Sequence, residues 1–212
     1  MTKRIAVLLV ALGLAVAGGQ VLGVDAAPDT ASMVTPTYTE DGLLVLPTNY
    51  REWIFVGSSL GLSYFGDEPP SRAPVFHHVY IQPEAYRHYA ETGTFPEKTM
   101  LVMENYSAGT KENNTVAPIL EDKAEFQNLH GQFEDQRVGL EVALKDSETF
   151  EDGWAYFNFT RGAGLAESAK AFPKSACWDC HRTHAADDNV FVQFYPVLRE
   201  HLENRLGIAE TK

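Results

Sequence analysis

The chain of 212 residues carries 17 Lys and Arg against 29 Asp and Glu, which gives a formal net charge of −12. Such an acidic surface repels phosphate backbones and anionic lipids, so nucleic acid and anionic membrane surfaces are excluded as natural partners. An apolar content of 44% is typical of a globular domain with one hydrophobic core.

Residues 1–27 have the pattern of a secretory signal peptide, which leaves 28–212 as a single domain. Two cations precede an apolar run that is too short to span a bilayer comfortably, and small residues suited to cleavage follow. A retained N-terminal anchor is the alternative. We expect an exported, periplasmic protein in both cases, with no membrane attachment once the signal is cleaved.

Short apolar segments bounded by proline or glycine predict a chain that is mostly β-strand. The clearest is 137–146, where Val138, Leu140, Val142 and Leu144 alternate with Gly139, Glu141, Ala143 and Lys145. The other predicted strands are 42–47, 75–83, 99–106 and 153–160, and 50–57 is a further apolar segment that ends at a glycine.

Helices are predicted at 83–93, at 165–172 and after Pro196. The first begins with a proline and ends with a glycine, which is typical of a short helix. This order of elements predicts a sheet-dominated α+β fold, with antiparallel strands and helices gathered toward the C-terminus.

The sequence CWDCH holds the only two cysteines, Cys177 and Cys180, directly before His181. Two thiols at this spacing can bond the two vinyl groups of a porphyrin, and the next imidazole can then bind the iron. A thioredoxin-like redox pair, half of a zinc site and a structural disulfide are the alternatives. We expect one covalently attached haem c (iron) per chain, with His181 as the proximal metal ligand.

The group on the other side of the iron decides the function. Met100, Met103, His77 and His78 are candidate ligands on predicted strands, although such residues more often have a structural role. A bound side chain would make a six-coordinate electron carrier, whereas an open position would make a gas-binding protein or an enzyme.

Six segments, in their order and spacing, resemble the cytochrome P460 family, whose fold the cytochromes c′-beta share. The resemblance covers about residues 42–199, and the segments are LPTNYREWIFVG, VYIQPEAYRHYAETGTFPEKT, GLEVALKD, WAYFNF, CWDCH and VFVQFYPVLR. It implies a sheet-rich homodimer with one c-type haem per subunit, a proximal histidine and an open distal pocket. The enzymes of this family oxidise hydroxylamine to nitrogen oxides, with nitric oxide as co-reactant, whereas their c′-beta relatives bind nitric oxide.

The resemblance assigns roles to individual residues. Cys177, Cys180 and His181 fall on the haem-binding motif, and Glu141 falls on the distal carboxylate that accepts protons from the nitrogen substrate. Without the resemblance, Glu141 would be interpreted as a solvated residue on the polar face of its strand.

Two positions depart from the pattern of the enzymes. Met103 stands where they carry a lysine cross-linked to the porphyrin edge, and Lys98 is the only lysine nearby. His77 stands where they have a distal arginine, so it offers a cation only when it is protonated. We therefore expect Glu141 and His77 as catalytic candidates beside the haem and Met103 against its edge.

The sequence predicts a haem protein that binds or oxidises small nitrogen species such as hydroxylamine and nitric oxide. A nitric oxide binding protein without turnover and a six-coordinate electron carrier are the alternatives. The acidic charge is also compatible with a soluble redox partner, such as another cytochrome.

Overall fold

A five-stranded antiparallel sheet forms the centre of the fold. The computed structural model describes residues 33–62, 73–116, 118 and 130–208. After the short β1 (Leu44–Val45), the sheet strands are neighbours in the order in which they occur along the chain. They are β2 (Ile54–Leu60), β3 (Val75–Ile81), β4 (Met100–Gly109), β5 (Phe133–Lys145) and β6 (Trp154–Asn158). This sheet confirms the predicted sheet-dominated α+β class.

Among the residues that the structure describes, three α-helices accompany the sheet: α1 (Pro83–Thr92), α2 (Trp178–His184) and α3 (Pro196–Leu206). Both α1 and α3 begin at a proline, whose missing N–H costs nothing there. Both end before a glycine with left-handed backbone, Gly93 at φ 76° and Gly207 at φ 69°. The predicted helices at 83–93 and after Pro196 are thus confirmed.

The helix predicted over 165–172 is wrong. This segment is extended: β7 (Thr160–Arg161) pairs with β8 (Gly164–Leu165), and β9 (Ser168–Ala169) pairs with β1. Ala169 lies opposite Leu44, and both are buried in one hydrophobic core. Pairing with β1 and burial outweigh the helix propensity of the alanines here, because propensity is only a weak preference.

The strand register brings distant residues into rows across the sheet. Val79 of β3 pairs with Met103 of β4, and Met103 pairs with Glu141 of β5. The next row joins His77 to Asn105. Side chains two apart on a strand share a face, so His77, Met103 and Glu141 all project from one face of the sheet.

Both faces of the sheet are covered. One face holds Leu140, Val142 and Leu144, three of the four apolar residues that the alternation in 137–146 predicted to lie together. The fourth, Val138, is 47% exposed, because the pairing of β4 and β5 is irregular at this point. The opposite face, which carries Val79 and Leu101, packs against side chains of the helices. The second face is therefore not a solvated surface, which changes the interpretation of every polar residue on it.

Gly57 of β2 lies directly against the backbone that leads into α3. A Cβ atom at this position would come within 3.2 Å of the Phe194 carbonyl oxygen and of the Tyr195 Cα, and within 3.1 Å of the Pro196 Cδ. Two of these neighbours are backbone atoms, so they cannot turn away as a flexible side chain would. Close approach of the strand to this segment therefore requires glycine.

The predicted signal peptide, residues 1–27, lies outside the described residues, as does most of the loop predicted at 66–74. Within the part of the chain that the structure describes, no helix has the length and apolar character needed to cross a membrane.

Acid is expected to destabilise the protein through Glu104, whose side chain is 2% exposed. Burial raises the pKa of this carboxyl, but hydrogen bonds from Arg51 at 2.7 Å and Tyr50 at 2.5 Å outweigh burial, so the net pKa is lowered. A lowered pKa stabilises the folded state above the unfolded value of about 4.3, and this stabilisation is lost as pH falls through the folded value.

Urea unfolding of the wild type and of Glu104→Gln between pH 7 and pH 3 measures this contribution. We expect the free energy of unfolding to fall less steeply with acid in Glu104→Gln. The control is Glu148→Gln, because that side chain is 83% exposed. Equal slopes for the wild type and Glu104→Gln would contradict the assignment.

Candidate functional site

One cavity of about 480 Å³ lies between the second face of the sheet and the segment that contains α2. This volume falls within the range of small-molecule and cofactor sites. All six site residues predicted from the sequence line it, although they come from four different elements: His77, Met103, Glu141, Cys177, Cys180 and His181.

α2 places the CWDCH side chains together. Cys177 is the residue before the helix, and the His181 N–H donates to the Cys177 carbonyl at 3.0 Å. Residues three and four apart lie on the same side of a helix, so Cys177, Cys180 and His181 share one side of α2. Both thiols are free rather than joined in a disulfide, and burial first, then Glu141 and Cys180, raise the pKa of Cys177 to about 11.

His181 is held with one particular ring nitrogen directed at the protein. Its Nδ1–H donates to the Asn189 carbonyl at 2.8 Å, and because a carbonyl only accepts, the proton belongs on Nδ1. Rings of Tyr156 and Phe191 pack against the imidazole, with centroids 4.2 and 4.6 Å away. Burial lowers the pKa of His181, so the ring is neutral and Nε2 keeps the lone pair that a metal needs.

Glu141 is a half-buried carboxylate on the sheet side of the cavity. Burial raises the pKa of Glu141, and among the described residues no cation offsets this. A carboxyl with a raised pKa is a better proton acceptor and donor near neutral pH than an exposed one. The solvated position that the alternation alone suggested is therefore wrong, because helices and the α2 segment cover this face.

His77 is a neutral group in this cavity. Its Nδ1 lies 3.1 Å from the Ser59 hydroxyl oxygen, and burial first, then His78, lowers the pKa of His77 below its usual value. A neutral imidazole cannot replace the fixed positive charge of an arginine. His78 points to the other face of the sheet, where its Nε2 lies 3.0 Å from a Glu134 carboxylate oxygen.

Met103 lies between Val79 and Glu141 in the sheet and lines the cavity. Its side chain is a thioether, not an amine. Lys98 does not substitute for the absent lysine. Its ammonium is paired with Asp146 at 2.5 Å and with Glu148 at 2.9 Å. Met100, the other methionine candidate, is buried in the core on the opposite face.

The comparison with protein families agrees with this geometry. The model of the Cytochrome P460 family matches residues 47–192, which is more than half of the chain. The chain belongs to the cytochrome P460 family. No curated protein matches it. Membership in the cytochrome P460 family implies a haem cofactor.

The residues present fit a haem. One helix offers two thiols and one imidazole to the same mostly apolar cavity, and the imidazole tautomer leaves Nε2 available for iron. No cluster of three or more His, Cys, Asp and Glu that could hold a metal occurs in the described ranges. This arrangement matches a cytochrome P460 protein, in which the porphyrin supplies the other ligands, better than it matches a zinc site.

Ser59, Tyr156 and the Asn189 carbonyl are among the contributors to this cavity that the sequence did not predict. Tyr156 lies on the predicted strand 153–160, and Ser59 lies just beyond the apolar segment 50–57, in the part of β2 that the sequence did not predict. Nothing in their local sequence distinguishes them from other strand residues. The carbonyl of Asn189 has no signature of its own, because every residue has one. The one local signal is that Asp188 and Asn189 are residue types that favour turns.

Proposed function

We propose that this protein is a periplasmic mono-haem c-type cytochrome that binds or oxidises small nitrogen species, with hydroxylamine and nitric oxide as the leading candidates. One observation carries the proposal. The residues for attachment and ligation, Cys177, Cys180 and His181, line the same cavity as the half-buried carboxylate Glu141.

Each residue has a separate task in this proposal. Cys177 and Cys180 would hold the haem covalently through thioethers, and His181 would bind the iron through Nε2. When bound, the haem would supply an iron able to bind the nitrogen substrate and to pass its electrons on to a redox partner. Glu141 accepts protons from the N–H or O–H groups of hydroxylamine, since oxidation of this substrate releases protons together with electrons.

The apolar surroundings of Glu141 support its assignment as the proton acceptor. Val79, Leu101 and Met103 line the same cavity as Glu141, so its carboxylate has largely apolar neighbours. Burial raises the pKa of Glu141, so its oxygen is a stronger base when it is ionised. A small uncharged molecule such as hydroxylamine or nitric oxide suits this environment better than a large charged one.

Binding of nitric oxide without turnover is the second candidate, and Met103 favours it. The enzymes that this chain resembles use a lysine at this position for a cross-link, and a thioether cannot form that bond. The neutral His77 points the same way, because it offers no fixed charge to stabilise an anionic product. In this case Glu141 would shape the pocket without transferring protons.

Absorption spectra of the oxidised and reduced protein, with and without nitric oxide, test both candidates. A high-spin spectrum that changes on addition of nitric oxide supports an open site, and a six-coordinate low-spin spectrum that resists it would identify an electron carrier. Steady-state assays with hydroxylamine and an artificial electron acceptor then separate the enzyme from the binding protein. No turnover would leave the binding protein.

We also propose that the mature chain is a homodimer that exchanges electrons with a soluble cytochrome. The family resemblance supports the dimer, and the net charge of −12 favours a basic partner. Light scattering of the mature protein tests the dimer, and a monomeric mass would contradict it.

A further inference from the structure

The Asn189 carbonyl accepts hydrogen bonds from two side chains. The His181 Nδ1–H donates to it at 2.8 Å, and the Tyr156 hydroxyl donates to it at 3.2 Å. Tyr156 is 7% exposed, so water has little access to its hydroxyl. A carbonyl oxygen has two lone pairs and can accept both bonds, but the two donors then compete for its electron density.

The carbonyl cannot move freely toward either donor, because the turn that contains it is bonded to two strands and two helices. Asp188 and Asn189 both have left-handed backbone, with φ of 41° and 61°. The Asp188 carboxylate accepts from Lys145 Nζ at 2.6 Å and from Trp154 Nε1 at 3.1 Å. These contacts tie the turn to the neighbouring strands β5 and β6.

The preceding residue anchors the turn to two helices. The Asp187 carboxylate accepts from the Tyr89 hydroxyl of α1 at 2.8 Å and from Arg205 of α3 at 3.1 Å. The Asn189 carbonyl is therefore a fixed acceptor. A change at one donor then alters the strength of the other hydrogen bond instead of moving the turn.

We propose that the Tyr156 hydroxyl weakens the hydrogen bond between His181 and the Asn189 carbonyl and thereby raises the reduction potential of the haem iron. A stronger bond from Nδ1–H to the carbonyl makes the imidazole a better electron donor, which stabilises oxidised iron. The Tyr156 hydroxyl draws density from the same oxygen and opposes this effect. Tyr156 is thus a positioning residue that acts through His181.

This inference depends on His181 as the iron ligand, which is part of the proposed function, but it does not depend on the substrate. The two can fail separately. A reduced wild-type protein without an iron–histidine stretching band in resonance Raman spectra would contradict ligation by His181, whereas the variants below test Tyr156 itself.

Tyr156→Phe removes only the hydroxyl and keeps the ring that packs on His181 at 4.2 Å. In the haem-loaded protein we expect a more negative reduction potential and a higher iron–histidine stretching frequency. The control is Tyr38→Phe, which removes a hydroxyl bonded to Asp146 at 2.8 Å. Tyr38 packs against the core on the opposite face of the sheet, with Leu140, Val142 and Leu144. We expect this control variant to change neither quantity.

Replacement of Tyr156 by a ring-fluorinated tyrosine gives the opposite change. Its hydroxyl is a stronger donor, so we expect a more positive potential and a lower stretching frequency, and this variant also serves if Tyr156→Phe fails to fold. An unchanged potential, a shift of the same sign in both variants, or a shift without the frequency change would overturn the proposal.

Discussion

Replacement of Glu141 by glutamine is expected to lower kcat for hydroxylamine oxidation by about 10²- to 10⁴-fold, the usual contribution of a positioned proton acceptor. Glutamine has nearly the same shape but cannot accept the proton. Binding of nitric oxide should persist, because it requires no proton transfer. Steady-state rates with an artificial electron acceptor, together with nitric oxide titrations, measure the two effects in the same preparations.

The pH dependence of kcat/KM is a second test of Glu141 as the proton acceptor. Burial raises the pKa of Glu141, so its base form is lost on acidification at a higher pH than for an ordinary glutamate, whose pKa is about 4.3. We expect wild-type activity to fall on the acidic side through this raised pKa, and Glu141→Gln to lack that limb.

Glu134→Gln is a suitable control for Glu141→Gln, because Glu134 lies on the same strand but its side chain is 47% exposed. Its kcat should remain within a factor of two or so of the wild type, since surface substitutions have small effects. Equal turnover in Glu141→Gln and the wild type would remove Glu141 from the mechanism. It would favour the binding protein only if the wild type itself shows no turnover.

Replacement of both Cys177 and Cys180 by alanine is expected to abolish covalent haem. Two thioethers are the proposed attachment, and His181 alone holds a haem only by coordination, which denaturation breaks. Haem staining of a denaturing gel measures the result. The wild type should stain and the double variant should not.

The single variants Cys177→Ala and Cys180→Ala are the matched controls, because each leaves one thiol able to form a thioether. We expect both single variants to stain. The absorption spectrum of the reduced protein should differ from that of the wild type, because one vinyl group of the haem remains unreacted. A wild-type band without haem stain would contradict a c-type attachment. A stained band from the double variant would show that another side chain forms the link.

Much of the sheet follows from local sequence. Alternation in 137–146 predicts which residues of β5 share a face, and the proline and glycine at the ends of α1 predict its limits. Strand ends are less well determined: β5 begins at Phe133 and β4 continues to Gly109, beyond the predicted 99–106. Both strands extend because each provides the other with a hydrogen-bonding partner, which is information that neither segment contains alone.

Two features of the site required the assembled fold. The polar face of β5 suggested a solvated Glu141, whereas the α2 segment covers this face and buries the carboxyl partly. The Asn189 carbonyl, which accepts from His181, belongs to a turn with left-handed backbone. This turn is held in place by the carboxylates of Asp188 and Asp187, which accept hydrogen bonds from side chains of β5 and α1. The motif CWDCH and the family resemblance were sufficient to predict six residues that line one cavity, but not to predict the environment of these residues.

Gly57 shows how a residue without chemistry of its own can limit sequence variation around a functional cavity. Any side chain there would push on Phe194 and Tyr195, and both line the cavity. In a library that randomises single codons and is screened for coloured colonies, codon 57 should therefore tolerate few replacements. Exposed Phe55, two residues earlier on the same strand, should accept many.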